Sequence, residues 1–471
     1  MRRSGWSRRS ASRAGSSNCA WDIGNSLSFG GDWLRVCGAP RQTPSPVRHA
    51  VWPGGGVLDI LHALRRPCAA FRSTDAAAPA PPRRDATAAA SQQGAFVAID
   101  IHWIRDDASL ASHCARWRQL PFVALDTEFV RVDTFYPQTG LVQVGDGRSA
   151  YLIDPLDIGD WRPLAALLED PAVVKVLHAC SEDLEVLLRL TGSLPLPLFD
   201  TQLAAAYLNL GFSMGYSRLV QAVLGIELPK GETRSDWLQR PLSELQIRYA
   251  AEDAVHLAEL YVALGARLAE DKRAWTLEDG AELVANLRRE VLPEELYREG
   301  RLAWKLSRQQ LAVLRELYAW REREARRRDQ PRNRILRENS LWPLARYQPT
   351  DLVGLGRIED MHPRTVRQDG ETLLRLIRES GATPPECWPE PLPEPLPMEA
   401  SGLLKRLRAV GQAEAAHLQI APELALRKKT LEALLKSGFP NGPYRLPDTL
   451  RGWRRERMGQ TLLDCLGGER P

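Results

Sequence analysis

The chain has 471 residues, 44% of them apolar, with 63 Lys and Arg against 59 Asp and Glu for a formal net charge of +4; at roughly 100 to 200 residues per domain that length predicts three domains and ample chain for a large core. Seven cysteines (Cys19, Cys37, Cys68, Cys114, Cys180, Cys387 and Cys465) show no C-x-x-C spacing, which fits a reducing cytoplasm and argues against a disulfide framework or structural zinc. No apolar run approaches the roughly 18 residues that a membrane-spanning helix needs, so a soluble, cytoplasmic chain with no membrane partner is expected.

The charge is unevenly spread. Residues 1–95 carry 13 Arg, no Lys, 5 Asp and no Glu, which leaves 50 basic and 54 acidic residues in the remainder. This first segment is rich in Arg, Ser, Ala and Pro and shows little periodicity, the composition of a disordered extension. It is also the composition of an organelle transit peptide. A start codon assigned too far upstream is a third reading, although the methionine after Met1 is Met214. A spurious or dispensable extension is the favoured one.

From Phe96 to about residue 300 the text is that of an α/β domain. "DDASLASHCARWRQL" predicts a helix, and "FVALDTEFVRV" (Phe122 to Val132) a buried strand whose apolar run is broken by Asp126 and Glu128. "GLVQVGDGRSAYLIDP" predicts two strands joined at Gly145-Asp146-Gly147. A helix in "WRPLAALLED", a short buried strand in "AVVKVLHAC" and a helix in "SEDLEVLLRL" with Ser181 as its N-cap follow. Alternating strands and helices predict a mixed sheet covered by helices.

The acids fall at informative places. Residues two apart on a strand share a face, so Asp126 and Glu128 project side by side and repel unless an Arg, a Lys or a divalent metal offsets them. Read alone, D-x-E suits a solvated strand end beside Arg131 as well as it suits a metal site. Asp183 lies in the first turn of a helix directly after a buried strand that ends at His178, where an acid also complements the macrodipole, as Glu182 does. In "LQIRYAAEDAVHLAELYVAL" Tyr249 and Asp253 are four residues apart and stack on one helix face, an arrangement that a plain hydrogen-bonded pair also explains.

Together the positions make D-x-E, then an Asp five residues after His178, then Y-x3-D, a pattern that resembles the three motifs of the DEDD superfamily of 3′ to 5′ exonucleases in its Tyr subclass. The sister subclass has His where Arg248 stands. More closely, "ALDTEFVRV", "YPQTGLVQV", "LHACSEDLEVL", "FDTQLAAAYL", "SDWLQRPLSE" and "YAAEDAVHL" resemble the ribonuclease D family in order and spacing. The resemblance implies a ribonuclease H-like exonuclease domain whose catalytic residues are Asp126, Glu128, Asp183, Tyr249 and Asp253. It implies two divalent cations, Mg²⁺ or Mn²⁺, of the kind that sit roughly 4 Å apart in two-metal sites. Asp126 would bridge them, Glu128 and Asp253 would complete the nucleophile-side site, Asp183 would support the second, and Tyr249 would orient the attacking water. His178 is expected to be a hydrogen-bonding residue at a strand end, and Asp200 a helix cap. As substrate contacts we single out Phe129 and Tyr136 for base stacking, and Lys230 and Arg234 for phosphates. The bland alternative for each is core packing or a solvated loop.

Beyond about residue 300 the pattern becomes all-helical. Between Arg315 and Arg337 stand 9 Arg against 4 acids. The layout resembles an HRDC domain, expected over 301–380, with Arg326, Arg327 and Arg328 beside Trp320 as a phosphate-tracking patch. Interleaved Glu316, Glu322 and Glu324 make a charge-laced surface helix the alternative. A Pro-rich linker at 381–400 reads as an extended spacer, and 401–471 as a second, diverged HRDC-like domain or a plain helical cap. The implied activity is metal-dependent 3′ to 5′ trimming of RNA, precursor tRNA 3′ ends above all, by a monomer that releases 5′-mononucleotides. A DNA exonuclease of the Werner type and a non-catalytic RNA-binding scaffold are the alternatives.

Overall fold

The computed structural model describes residues 99–228, 235–289 and 291–467. The extension at 1–95, Lys230 and Arg234 lie outside the described residues, so the expectations placed on them find no structure here.

The first half is built on a mixed sheet of β1 (Asp100–Ile104), β2 (Phe122–Val130), β3 (Gln138–Gly145), β4 (Ser149–Ile153), β5 (Val174–Leu177) and β6 (Leu198–Asp200), in the order β1-β4-β3-β2-β5-β6. β2, β3 and β4 are antiparallel neighbours, while β1 runs parallel to β4, and β5 and β6 run parallel to β2. The hairpin at 145–149 forms as its sequence predicts. Asp146 Oδ1 accepts from the amides of Arg148 and Ser149, and Gly147 takes φ +87°, a conformation that costs glycine little.

One face of the sheet is covered by α1 (Asp107–Trp117), α2 (Arg162–Glu169) and α3 (Ser181–Thr191), whose leucines pack on Val123, Leu125, Val142 and Val144. Two shorter helices, α4 (Thr201–Tyr207) and α5 (Tyr216–Leu224), lead to the long α6 (Glu244–Gly265), which lies on the other face, and to α7 (Glu270–Arg288). The sequence fits this close approach. A Cβ on Gly145 would meet the Ala254 carbonyl oxygen at 2.3 Å, and α6 turns Ala250, Ala251 and Ala254 toward the strands. Ser243 and Gln246 form a capping box that fixes where α6 begins.

Ser181 is not the cap of α3. Cys180 occupies that position without a side-chain cap bond, and Ser181 is already helical. The amides of Ala179 and Cys180 instead reach the carboxylate of Asp200, each at 3.2 Å, and Asp200 also caps α4 through Gln202 and Leu203. One carboxylate thus ties two helix starts together, which makes a local serine cap unnecessary.

The second half contains α8 (Arg308–Arg328), α9 (Arg332–Ile335), α10 (Glu338–Tyr347), α11 (Leu352–Gly356) and α12 (Pro363–Gly381) around a core that includes Leu311, Leu314, Leu344 and Leu373. A capping box of Ser307 and Gln310 opens α8. The Pro-rich stretch that follows has only single turns of 3₁₀ helix, and Arg308 anchors it through Trp388 O, Pro389 O and Glu390. Last come α13 (Ser401–Leu418), α14 (Pro422–Ala425), α15 (Lys428–Lys436) and α16 (Gly452–Gly467). Their apolar faces join one cluster with α4 and α6 of the sheet domain, and Arg454 makes a buried two-pronged pair with Asp279 of α7, which also accepts from the Tyr207 hydroxyl at 2.7 Å.

Candidate active site

β2 carries two acids out of the core on the α6 side. Asp126 and Glu128 share that face, while Thr127 between them points to α3, where its hydroxyl donates to Asp183 Oδ1 at 2.5 Å. Asp253 descends from α6 to meet the strand. One carboxylate oxygen from each of Asp126, Glu128 and Asp253 lies within 4.8 Å of the others. Asp183 stands outside that closest trio but within its field, since its charge helps raise both Asp126 and Glu128.

None of the four acids forms an ion pair with Lys, Arg or His among the described residues. Arg131, the counter-charge closest in sequence, is spent on Glu185 at 2.8 Å and on the Phe135 carbonyl. The energetic consequence is large. Burial first, then mutual repulsion, pushes Asp126 well above the usual carboxylate range and Glu128 up to about 9. Burial likewise lifts Asp253 to about 7 and Asp183 to about 6, although hydrogen bonds from Tyr249 and Thr127 oppose the rise. Ionised together, these groups need a cation. Carboxylate oxygens are the donors that Mg²⁺ and Mn²⁺ prefer, so the residues present fit such ions.

Tyr249, half-buried one turn before Asp253, has its hydroxyl held in the acid form by burial and the nearby negative charge. Its ring packs on Trp237 at 6.1 Å between centroids. Trp237 sits so tightly on β3 that a Cβ at Gly140 would meet its backbone at 2.6 Å. Arg240 pins this segment with both prongs on Asp154 and a further bond to the Gly140 carbonyl. The role of the "SDWLQRPLSE" motif is to back Tyr249. Tyr216, not singled out from sequence, donates to the Asp253 carbonyl at 2.7 Å. His178 meets Thr201 Oγ1 at 2.9 Å, as a hydrogen-bonding strand-end residue should.

The residues expected to contact substrate have these surroundings. Phe129 is half-buried at a register shift between β2 and β3. Tyr136 has the Arg189 guanidinium 3.8 Å above its ring, and its amide, with that of Phe135, donates to Asp329 Oδ1 at 3.0 Å. Arg326 pairs with Glu322 and Arg327 with Glu324, while Arg328 is enclosed between Glu324 and a two-pronged contact with Asp369. At 326–328 the arginine charges are thus matched within the helical module, the pattern of a charge-laced helix. Arg326 and Arg332 also lie over the ring of Phe135 at the junction with the sheet domain.

Residues 101–269 match the family of 3′ to 5′ exonuclease domains, and residues 310–377 match the HRDC domain. A ribonuclease D from Pseudomonas paraeruginosa is 70% identical over 369 residues, which cover 78% of this chain and 98% of the relative. The Escherichia coli ribonuclease D is 39% identical over 376 residues, covering 78% and 99%. The chain belongs to the ribonuclease D family. The crystal structure of the E. coli ribonuclease D, described as an exoribonuclease involved in structured RNA processing, superposes with a TM-score of 0.73 at 37% identity, covering 79% of this chain and all of that one. The protein is accordingly a 3′ to 5′ exoribonuclease of the ribonuclease D type, with an α/β exonuclease domain followed by a helical HRDC region, and it uses divalent metal ions. Among the described residues no helix is long and apolar enough to cross a membrane.

Proposed function

We propose that this ribonuclease D trims the 3′ ends of precursor tRNAs and other structured RNAs, releasing 5′-mononucleotides at a site for two divalent cations, Mg²⁺ or Mn²⁺. The observation that carries the reading is the trio of half-buried Asp126, half-buried Glu128 and buried Asp253, with half-buried Asp183 beside it, gathered without a basic partner among the described residues. A stabilising motif would pair such charges; a site that takes up cations leaves them open. Asp126, Glu128 and Asp253 would hold one ion and Asp126 with Asp183 the other. Bound cations supply charge stabilisation for the phosphoryl oxygens and a more acidic water. Tyr249 keeps its proton at neutral pH, so it serves by donating and accepting hydrogen bonds that orient the attacking water, not as a general base. Thr127 holds Asp183 in place through its hydroxyl.

The helical regions would grip the body of the RNA while the exonuclease domain, 96–300, removes the tail. We take 301–380 as the first HRDC domain, 381–400 as the linker and 401–471 as a second, diverged copy. A shared course of backbone supports the copy. α8 ends at Asp329 with φ +47° and α13 at Gln419 with φ +52°. Each is followed by a four-residue helix, which Pro331 precedes in the first and Pro422 opens in the second, then by an extended leucine, Leu336 with φ −151° and Leu426 with φ −142°. An Arg then occupies the N-cap position of the next helix in both, Arg337 for α10 and Arg427 for α15, without a side-chain cap bond. A plain helical cap has no reason to repeat this course. Cytoplasmic action as a monomer completes the proposal; the described cysteines, all free thiols, suit that compartment.

The test is cleavage of a 5′-labelled tRNA carrying a short 3′ trailer, with Mg²⁺, Mn²⁺ or EDTA, alongside a matched DNA strand and the Asp126→Asn variant. A metal-dependent ladder that shortens from the 3′ end, stops near the mature terminus and is absent in the variant is expected. Preferential digestion of the DNA would move the assignment to a DNA exonuclease, and RNA binding without cleavage under every metal condition would leave a scaffold.

A further inference from the structure

On the α6 face of the sheet, Asp126 of β2 stands directly opposite Gln143 of β3. Gln143 is fully buried, and neither its amide oxygen nor its amide nitrogen has a hydrogen-bond partner. Leaving both ends of a carboxamide unpaired in a core is a net cost to folding, and leucine or methionine would fill comparable space without it. The neighbours explain what the amide can reach. Along its own strand, the residues on the same face are Leu141 and Gly145; across to β4 it faces Leu152. α6 closes over this strip with alanines, its backbone lying against Gly145. Of the two residues directly opposite Gln143, Leu152 is apolar and Asp126 is the polar one, and directly opposed side chains in an antiparallel pair have Cβ atoms roughly 5 Å apart. A carboxamide spans that gap.

We propose that Gln143 is a positioning residue for Asp126: its Nε2–H donates to the ionised Asp126 carboxylate and fixes which oxygen turns outward to the cations. The inference rests on Asp126 being a metal-holding residue. It accounts for a polar side chain where packing alone favours an apolar one, because the bond forms in full strength only with a charged acceptor. Groups that orient a metal-holding side chain in this way typically change metal affinity or activity by 10- to 100-fold when removed.

The experiment compares Gln143→Leu and Gln143→Met with the full-length wild-type chain. In EDTA, thermal melts of both variants are expected to match or exceed wild type. Calorimetric titration with Mn²⁺ is expected to show affinity weakened by about 10-fold or more, and kcat on a single-stranded RNA to fall roughly 10- to 100-fold with KM for RNA unchanged. If Mn²⁺ affinity and kcat stay within about twofold of wild type in both variants, or if Tm in EDTA falls together with activity in both, Gln143 is a structural residue and the inference is overturned. Asp126→Asn is the control for the premise: retained Mn²⁺ affinity in that variant would remove the reading of the site itself, whatever the Gln143 variants do.

Discussion

Replacing Asp253 with Asn should make the protein more stable in EDTA and indifferent to the metal that stabilises wild type. Burial holds the Asp253 carboxyl at about 7, against 3.8 when exposed. Between those two values the folded chain keeps a proton that the unfolded chain has lost, so stability declines as pH rises through that window. Converted to free energy, the penalty is on the order of 1 to 2 kcal/mol at pH 5 and on the order of 4 kcal/mol at pH 8. Asn retains the shape and can still meet Tyr249, so a gain of about 2 to 4 kcal/mol is expected in urea unfolding at pH 8, shrinking by about half or more at pH 5. Saturating Mn²⁺ should close most of that gap, because an ion at 100 times its dissociation constant adds about 2.7 kcal/mol to wild type and little to the variant. A variant that is less stable than wild type in EDTA at pH 8, or a gap that ignores pH, would show that the acids are not crowded at a cost and that the argument from unpaired burial is wrong.

Three further outcomes can be checked independently. Tyr249→Phe should lower kcat by roughly 10²-fold while calorimetric Mn²⁺ affinity stays at the wild-type value; a parallel loss of affinity would make the tyrosine part of the metal site instead. Asp329→Ala strips the acceptor from the Phe135 and Tyr136 amides and should cost about 1 to 3 kcal/mol in denaturant melts, with Asp329→Asn recovering most of it, since one oxygen suffices for both donors. Arg328→Gln should cost about 3 kcal/mol of stability by leaving Asp369 buried and unpaired, yet leave the salt dependence of RNA binding unchanged. A variant that folds normally but loses about one unit of salt slope would return Arg328 to the RNA interface.

The fold was legible where local chemistry and burial agree. β2 and β5 are short apolar runs that belong only in a sheet interior, and the Gly-Asp-Gly turn dictates its hairpin. Ser181 carries an N-cap signature that fails, because Asp200, some 20 residues away, takes over the amides at that helix start. The C-terminal helices were legible as helices, but not the fact that their apolar faces complete a core with α4 and α6. Amphipathic spacing says that a face will be buried and leaves open against what. Gln143 was invisible for a related reason. In "GLVQVG" it is one polar letter in an alternating strand, and only the pairing register sets it opposite Asp126.

The two concentrations of charge in this chain make the same point in opposite directions. Along the sequence the arginine-rich helix is the louder signal, and D-x-E alone is weak. In space the arginines find Glu322 and Glu324 within four residues and Asp369 across the helical module, so the excess positive charge becomes a set of struts. The acids, drawn from β2, α3 and α6, find no basic partner among the described residues, although Arg131 lies three residues from Glu128 and is turned away to Glu185. Folding stability alone would have favoured the opposite arrangement, since a matched surface pair contributes little while a buried unmatched acid costs several kcal/mol. What separates a structural charge cluster from a chemical one is therefore the presence of a counter-charge at contact distance. That property belongs to the tertiary structure, and it is why the ordered set of motifs, which already encodes which acids meet, outperformed any count of charges along the chain.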